Sequence, residues 1–211
     1  KAAIGLNIIS DKAGLLQRTQ AMGSFAYKLS ISEDQSIRFG ISLAWTQDRL
    51  DMGAATGSAS NDLALSKYND NRKNYVDGNT GIAYINKNFE AQFSYLNLNQ
   101  KRSQEFSTVD YSTFYSAITY KFNLDQSITV KPLIAYRGVK SYKNQWDVAA
   151  EWGFMQKLEM YSMYHSNQSF SGGAGYNYQD KLNLSLIYNS EPSEIRGFTG
   201  GIMDIMIGYS F

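Results

Sequence analysis

The feature of this sequence that most restricts its fold is a two-residue alternation of apolar and polar side chains in segments of about ten residues. Between Ile37 and Thr46, apolar or aromatic residues occupy every second position, and polar or small residues lie between them. Residues 201–211 repeat the pattern and end on the aromatic Phe211. A period of two places one apolar face on a β-strand, and about ten residues is the length that a tilted strand needs to cross a bilayer.

The same alternation recurs along the chain and predicts about twelve strands. Every second connection is short, namely at residues 32–35, 86–88, 123–126, 155–157 and 179–180, whereas those between are mostly longer. Short turns at one rim and longer loops at the other are typical of an up-and-down transmembrane barrel. We therefore predict an all-β, antiparallel, up-and-down transmembrane β-barrel in which residues 1–211 form a single domain of the outer membrane.

Three local features carry further expectations. Pro132 falls in mid-strand, where it removes a hydrogen bond from the ladder, so we predict a bulge or a local gap there. Residues 11–18 contain the turn glycine Gly14 and are predicted to form a loop. The glycine-rich residues 171–176 start no helix, so they indicate close strand packing or a bend and not a phosphate-binding loop.

Composition excludes several other classes of protein. The chain contains no run of eighteen apolar residues, which excludes a transmembrane helix, and its sixteen tyrosines suit β-structure and interfacial aromatic girdles. Without cysteine it has no disulfide framework or thiolate metal site. A net charge of +1 argues against a nucleic-acid partner. We predict no cofactor and no bound metal.

The longest break in the strand pattern is at residues 48–75, which are small and polar at first and then strongly charged. Loops of this length are usually functional or disordered. Two interpretations stay open: a flexible surface loop, or an extracellular loop that covers the barrel mouth or grips a partner.

Several charged residues fall on the predicted inward faces of the strands. Charges in the core of a soluble protein are costly, whereas a polar lumen accommodates them as mutual partners. A structural network in the lumen and a role in selectivity or substrate contact are both open. The set comprises Arg38, Lys131, Arg137, Asp147, Glu151 and Asp204.

Signals for catalysis are weak. The only histidine, His165, is at a predicted strand end without a second histidine or a cysteine to share a metal, and we interpret it as an interfacial side chain. No nucleophile elbow or P-loop is present. Barrel hydrolases need a histidine or paired acids near a serine, and Ser162, Ser166 and Ser169 are too weak a set beside His165. The sequence therefore predicts a protein that is not an enzyme.

Segments along nearly the whole chain carry a resemblance to a known family. They are AAIGLNIISDKAG, SFAYKLSI and SIRFGISLAW near the start, YSTFYSAITYKF with ITVKPLIAYR in the middle, and RGFTGGIMDIMIGYSF at the end. Together they resemble the PorP/SprF family of Bacteroidetes outer-membrane proteins. That family normally has a further N-terminal region with an Asn-Pro-Ala stretch, so we expect this chain to be truncated and a full barrel to have about fourteen strands.

The resemblance implies a component of the type IX secretion system. Family members are associated with the secretion and surface attachment of large adhesins, including gliding adhesins, that carry a C-terminal sorting domain. It therefore implies an outer-membrane protein that anchors or helps export such an adhesin by non-catalytic contacts, with other type IX components as further partners. The family offers no catalytic residues to transfer. A porin-like channel for small solutes is the alternative.

Overall fold

The chain is all-β, and its strands pair with their sequence neighbours in an antiparallel fashion. The computed structural model describes residues 1–13, 16–50, 74–101, 113–139, 143–179, 181–193 and 200–209. A single 3₁₀ turn, Leu98–Lys101, interrupts the strands of this described part. The strands are β1 (Ala2–Ala13), β2 (Leu16–Ser30), β3 (Gln35–Leu50), β4 (Tyr75–Asn86), β5 (Phe89–Leu96), β6 (Thr113–Tyr120), β7 (Phe122–Asn123), β8 (Ile128–Val139), β9 (Gln145–Phe154), β10 (Leu158–His165), β11 (Phe170–Tyr178), β12 (Leu182–Asn189) and β13 (Ile202–Tyr209).

The order of strands in the sheet follows the order in sequence from β1 to β13, and the two-residue β7 pairs only with β8. This confirms the all-β, antiparallel, up-and-down fold. Because β7 stands off the main path, twelve strands of the described residues form that path, in agreement with the predicted number of about twelve. The Cα positions cluster into two compact units: unit 1 contains residues 1–83, 94–114 and 139–142, and unit 2 contains residues 84–93, 115–138 and 143–211.

The exposed face of the strands is apolar and the covered face is polar, which is the reverse of a water-soluble sheet. Large apolar side chains lie on the exposed face, as shown by Ile4 at 88% exposure in unit 1 and Ile134 at 64% in unit 2. Polar side chains lie on the covered face, where Thr46 and Asp147 are buried. The described residues contain no helix long and apolar enough to cross a membrane.

Two predicted loop boundaries differ from the observed strands. Residues 11–13 and 16–18 of the predicted 11–18 loop belong to strands, because β1 and β2 stay paired from Asp11 opposite Arg18 to Ala13 opposite Leu16. Residues 14 and 15 lie outside the described residues. β3 continues to Leu50 and β4 begins at Tyr75, so both ends of the predicted 48–75 loop belong to strands. Residues 51–73 of that loop lie outside the described residues. A ladder continues as long as backbone partners are available, so polar side chains do not mark its end.

Pro132 leaves β8 in register with β9, because Pro132 pairs with Ala150 inside an unbroken series of partners. There is therefore no bulge on that side. On the other side, the neighbouring strand is interrupted at Lys121, between β6 and β7, and Phe122 pairs with Val130. This gap lies beside the proline, which has no N–H to donate to the ladder, as predicted from the sequence.

Candidate functional site

Unit 2 contains a row of polar side chains, one from each of six neighbouring strands, which we call the polar row. Its members are Arg137 on β8, Asp147 on β9, His165 on β10, Ser171 on β11, Asn189 on β12 and Asp204 on β13. Strand register explains the row, since Asp147 is directly opposite His165, and Ser171 is directly opposite Asn189. Residues directly opposite each other on antiparallel strands lie on the same face of the sheet and come within contact distance.

Asp147 is the most buried member of the polar row, with 5% of its side chain exposed. Its Oδ2 atom lies 3.4 Å from Nε of Arg137, and its Oδ1 atom lies 2.7 Å from Nδ1 of His165. Both carboxylate oxygens therefore have a partner, which a buried ionised group requires. The histidine is fixed in turn, because the second ring nitrogen also has a partner.

The second half of the polar row continues from that ring nitrogen. Nε2 of His165 lies 3.0 Å from Oγ of Ser171, and the Ser171 hydroxyl donates to Oδ1 of Asn189 at 2.6 Å. Nδ2 of Asn189 donates to Oδ2 of Asp204 at 2.8 Å. These contacts connect the ion pair at β8 and β9 to the carboxylate on β13 without a break.

A second charged group lies further along the same strands. Lys131 is opposite Glu151 in the β8–β9 register, and Glu151 is opposite Tyr161 on β10. The Tyr161 hydroxyl donates a hydrogen bond to Glu159. Unit 2 thus has two carboxylates close to one phenol on its covered face.

Two cavities adjoin these groups. The first has a volume of about 560 Å³, and four members of the polar row line it: Arg137, His165, Ser171 and Asn189. The second has a volume of about 590 Å³ and a more polar lining. Thr119, Lys131 and Glu151 line both, so the cavities meet at this group of side chains.

The structure brings together some of the six charges that the sequence placed on inward faces. Arg137 and Asp147 form an ion pair, and Asp204 joins them through the polar row. Lys131 and Glu151 lie opposite each other. Arg38 is in unit 1, exposed and opposite Lys28 on β2. Their roles as a lumen network remain a prediction.

Sequence reasoning missed Ser171 and Asn189 and treated His165 as an interfacial side chain. Ser162, Ser166 and Ser169 were considered as serine neighbours of His165, but Ser171 makes the contact. The alternation does predict which face of a strand a residue lies on, since Ser171 and Asn189 take inward positions. It could not pair them, because the pairing depends on the register of β10, β11 and β12.

Unit 1 has a polar ladder of its own between β2 and β3. Arg18 donates to both carboxylate oxygens of Asp48, at 2.8 and 3.1 Å. Further along, Nε2 of Gln20 donates to Oγ1 of Thr46 at 2.9 Å. The carboxylate of Asp48 is largely buried, and the two-point contact fits the planar guanidinium group. No cluster among the described residues of either unit has three or more metal-ligating side chains.

Comparison with known families shows to which family this chain belongs. The chain matches the family described as type IX secretion system membrane protein PorP/SprF over residues 1–209. The chain belongs to the PorP/SprF family. The resemblance inferred from the sequence segments is thereby confirmed, and with it the assignment to a membrane component of the type IX secretion system. No curated protein matches the chain.

Solved structures that are similar to this PorP/SprF chain include mutants of Rh. blastica porin. A triple mutant of Rh. blastica porin has a TM-score of 0.44 and 11% identity, covering 99% of this chain and 80% of its own. A structure described as asymmetric conductivity of engineered proteins has a TM-score of 0.44 and 14% identity, with 99% and 100% covered. Because these TM-scores are below 0.5, the fold is argued from the strand order and the strand register of this chain.

Proposed function

We propose that this protein is an outer-membrane β-barrel that binds a large secreted adhesin, or its C-terminal sorting domain, and anchors it or assists its export. Protein–protein contacts hold the partner, and this binding involves no catalysed reaction. The observation that carries it is the family membership together with the inverted polarity of the strands. A sheet with an apolar exposed face and a polar covered face suits a lipid environment.

The distribution of side chains supports the membrane location. The exposed face carries aliphatic side chains in mid-strand, such as Ile134, and aromatic side chains near strand ends, such as Tyr136 and Trp146. Aromatic girdles at both interfaces and an apolar band between them are features of outer-membrane barrels. The polar row occupies the opposite face, where a lumen would solvate or pair its charges.

Residues 51–73 are the proposed contact segment for the adhesin. They connect the end of β3 to the start of β4, and at the β3 end Asp48 is fixed by its two hydrogen bonds from Arg18. A long polar segment that starts from a well-paired strand end is suited to binding, because the rigid sheet positions it. Its composition of small, amide and charged residues provides many hydrogen-bonding groups.

Affinity purification from the native outer membrane, followed by mass spectrometry, tests this function. We expect a very large surface protein with a C-terminal sorting domain to copurify. Replacing residues 52–72 by a short Gly-Ser linker should remove that protein while the barrel remains heat-modifiable on gels. The matched control exchanges Glu33 and Asp34 for serine in the turn between β2 and β3. Recovery of the wild-type barrel alone contradicts the proposal.

The second candidate function is a porin-like channel for small solutes. The two adjoining cavities of unit 2, with Lys131 and Glu151 in both linings, favour it. Single-channel recording in planar bilayers tests it: a pore should conduct, and Lys131→Glu should shift its ion selectivity towards cations. Absence of conductance in correctly folded protein removes this candidate.

A further inference from the structure

We propose that Ser171, His165 and Asp147 form a serine esterase site in unit 2, with Ser171 as the nucleophile. Ser171 Oγ lies 3.0 Å from His165 Nε2, and His165 Nδ1 lies 2.7 Å from Asp147 Oδ1. Nucleophile, base and orienting carboxylate are therefore linked in the order that activates a serine hydroxyl. This arrangement is recognised by geometry and not by sequence position, and it has arisen on unrelated folds. The proposal is independent of adhesin binding.

The carboxylate of Asp147 determines which nitrogen of His165 carries the proton. An ionised carboxylate only accepts hydrogen bonds, so a neutral imidazole donates its Nδ1–H to Asp147. The lone pair of Nε2 then points to Ser171, where a general base must be. Asp147 also forms an ion pair with Arg137, whose Nε atom lies 3.4 Å from Oδ2 of the carboxylate. Asp147 is thus a positioning residue for His165.

Asn189 gives the hydroxyl of Ser171 a second acceptor. Its Oδ1 lies 2.6 Å from Ser171 Oγ, and its amide is oriented by donation to Asp204. Rotation about the Cβ–Oγ bond of Ser171 moves the proton between Asn189 and His165 without moving the oxygen. The single hydroxyl proton bonds to one acceptor at a time, and Ser171 attacks from the rotamer that donates to His165 Nε2.

The cavity beside the triad indicates the class of substrate. Ser171 and His165 line the cavity of about 560 Å³, so both are reachable from it. Leu133, Met163 and Ile187 give it an apolar portion, which suits an acyl chain. Lys131 and Arg137 line the same cavity, so its lining also carries positive charge. A carboxylic ester with a short acyl chain fits this lining.

The reaction needs only the ester and water. Ser171 Oγ bonds to the carbonyl carbon while its proton passes to His165 Nε2. The bond from that carbon to the alcohol oxygen then breaks, and His165 returns the proton to the departing alkoxide. Water attacks the acyl-serine with His165 again accepting a proton, and the carboxylic acid leaves as the serine hydroxyl is restored.

Labelling with a fluorophosphonate probe tests the proposal on the purified full chain in detergent. The wild type should be labelled, with the phosphonyl group located on Ser171 by peptide mass spectrometry. Ser171→Ala should abolish labelling. Removal of a general base slows such reactions by about 10²–10⁴-fold, so His165→Ala should label at least tenfold more slowly. Ser162→Ala is the matched control, because Ser162 lines the same cavity and its hydroxyl bonds to the Ala150 carbonyl oxygen and not to His165.

Two further readouts separate catalysis from folding. Added imidazole should restore labelling in His165→Ala, which a purely structural histidine would not allow. The wild type should also hydrolyse p-nitrophenyl butyrate, with the rate falling at least tenfold in Asp147→Asn. Heat-modifiability on gels identifies folded variants. An unlabelled Ser171 in folded wild type, or ester hydrolysis in Ser171→Ala equal to that of wild type, overturns the proposal.

Discussion

At the scale of single residues, the side chains with the most demanding environment are the buried acids. Asp147 was placed on an inward face by alternation alone, since every second position of β9 from Trp146 to Phe154 is apolar. Its contacts with Arg137 and His165 could not be predicted in the same way. They depend on the register that β9 adopts with β8 and β10, and a shift of one residue would move every side chain to the other face.

Replacing Asp147 by alanine should destabilise the protein markedly. Removing one partner of a buried ion pair costs about 3–5 kcal/mol, and since Arg137 keeps 39% of its side chain exposed, we expect about 2 kcal/mol. Urea titration of folded protein in detergent micelles measures the change. Asp204→Ala serves as the control, because Asp204 is exposed and should lose less than about 1 kcal/mol. Equal losses in both variants would contradict a buried role for Asp147.

At the scale of strands, the sequence predicted the elements well and their ends poorly. Alternation located the strands because each has one apolar face. Residues 11–18 were assigned to a loop, although residues 11–13 of β1 and 16–18 of β2 are paired. Side-chain polarity reports the surroundings of a residue, whereas strand length depends on backbone partners. The glycine run at residues 171–176 was correctly associated with close packing, as contacts at Gly173 show.

Gly173→Ala should disrupt the pairing of β11 with β12. A Cβ atom at this position would collide with the backbone oxygen of Leu186 and would lie 2.9 Å from Cα of Ile187. Overpacking of this kind costs about 1–3 kcal/mol, measurable by urea titration. Gly208→Ala on β13 is the matched change, because its nearest atom, Cβ of Asn183, would be 3.8 Å away. We expect little effect there, and a similar loss at both glycines would refute the steric explanation.

The two faces of β12 allow a direct test of which one contacts lipid. Leu186 belongs to the exposed apolar set, whereas Asn183 is an odd-numbered residue on the opposite face. A lysine on the lipid face near the bilayer midplane costs about 2–4 kcal/mol. Leu186→Lys should therefore lower the folded fraction in liposomes, while Asn183→Lys should fold nearly as well as wild type. The reverse order would mean that the polar face contacts lipid.

At the scale of the whole molecule, family and physical pattern support each other. The match over residues 1–209 establishes a type IX secretion membrane protein, and the exposed apolar face gives a physical reason for the membrane. The adhesin could be inferred only from the resemblance, since no strand pattern encodes the identity of a partner. The sequence placed three members of the polar row, Arg137, Asp147 and Asp204, on inward faces, but their connection could not be inferred because it passes through side chains on other strands.

The topology of β4 leads to a prediction about which side of the membrane each connection occupies. One end of β4 is joined to residues 51–73 and the other to the turn at Lys87, so a membrane-spanning β4 places the two on opposite sides. The chain has no cysteine, so Ser58→Cys and Lys87→Cys each introduce a single thiol. On intact cells, a membrane-impermeant maleimide should label Ser58→Cys at least tenfold more than Lys87→Cys. After permeabilisation of the outer membrane, both should react. Equal labelling of the two variants on intact cells would exclude a membrane-spanning β4. Preferential labelling of Lys87→Cys would place residues 51–73 on the periplasmic side, where they could not hold an adhesin at the surface.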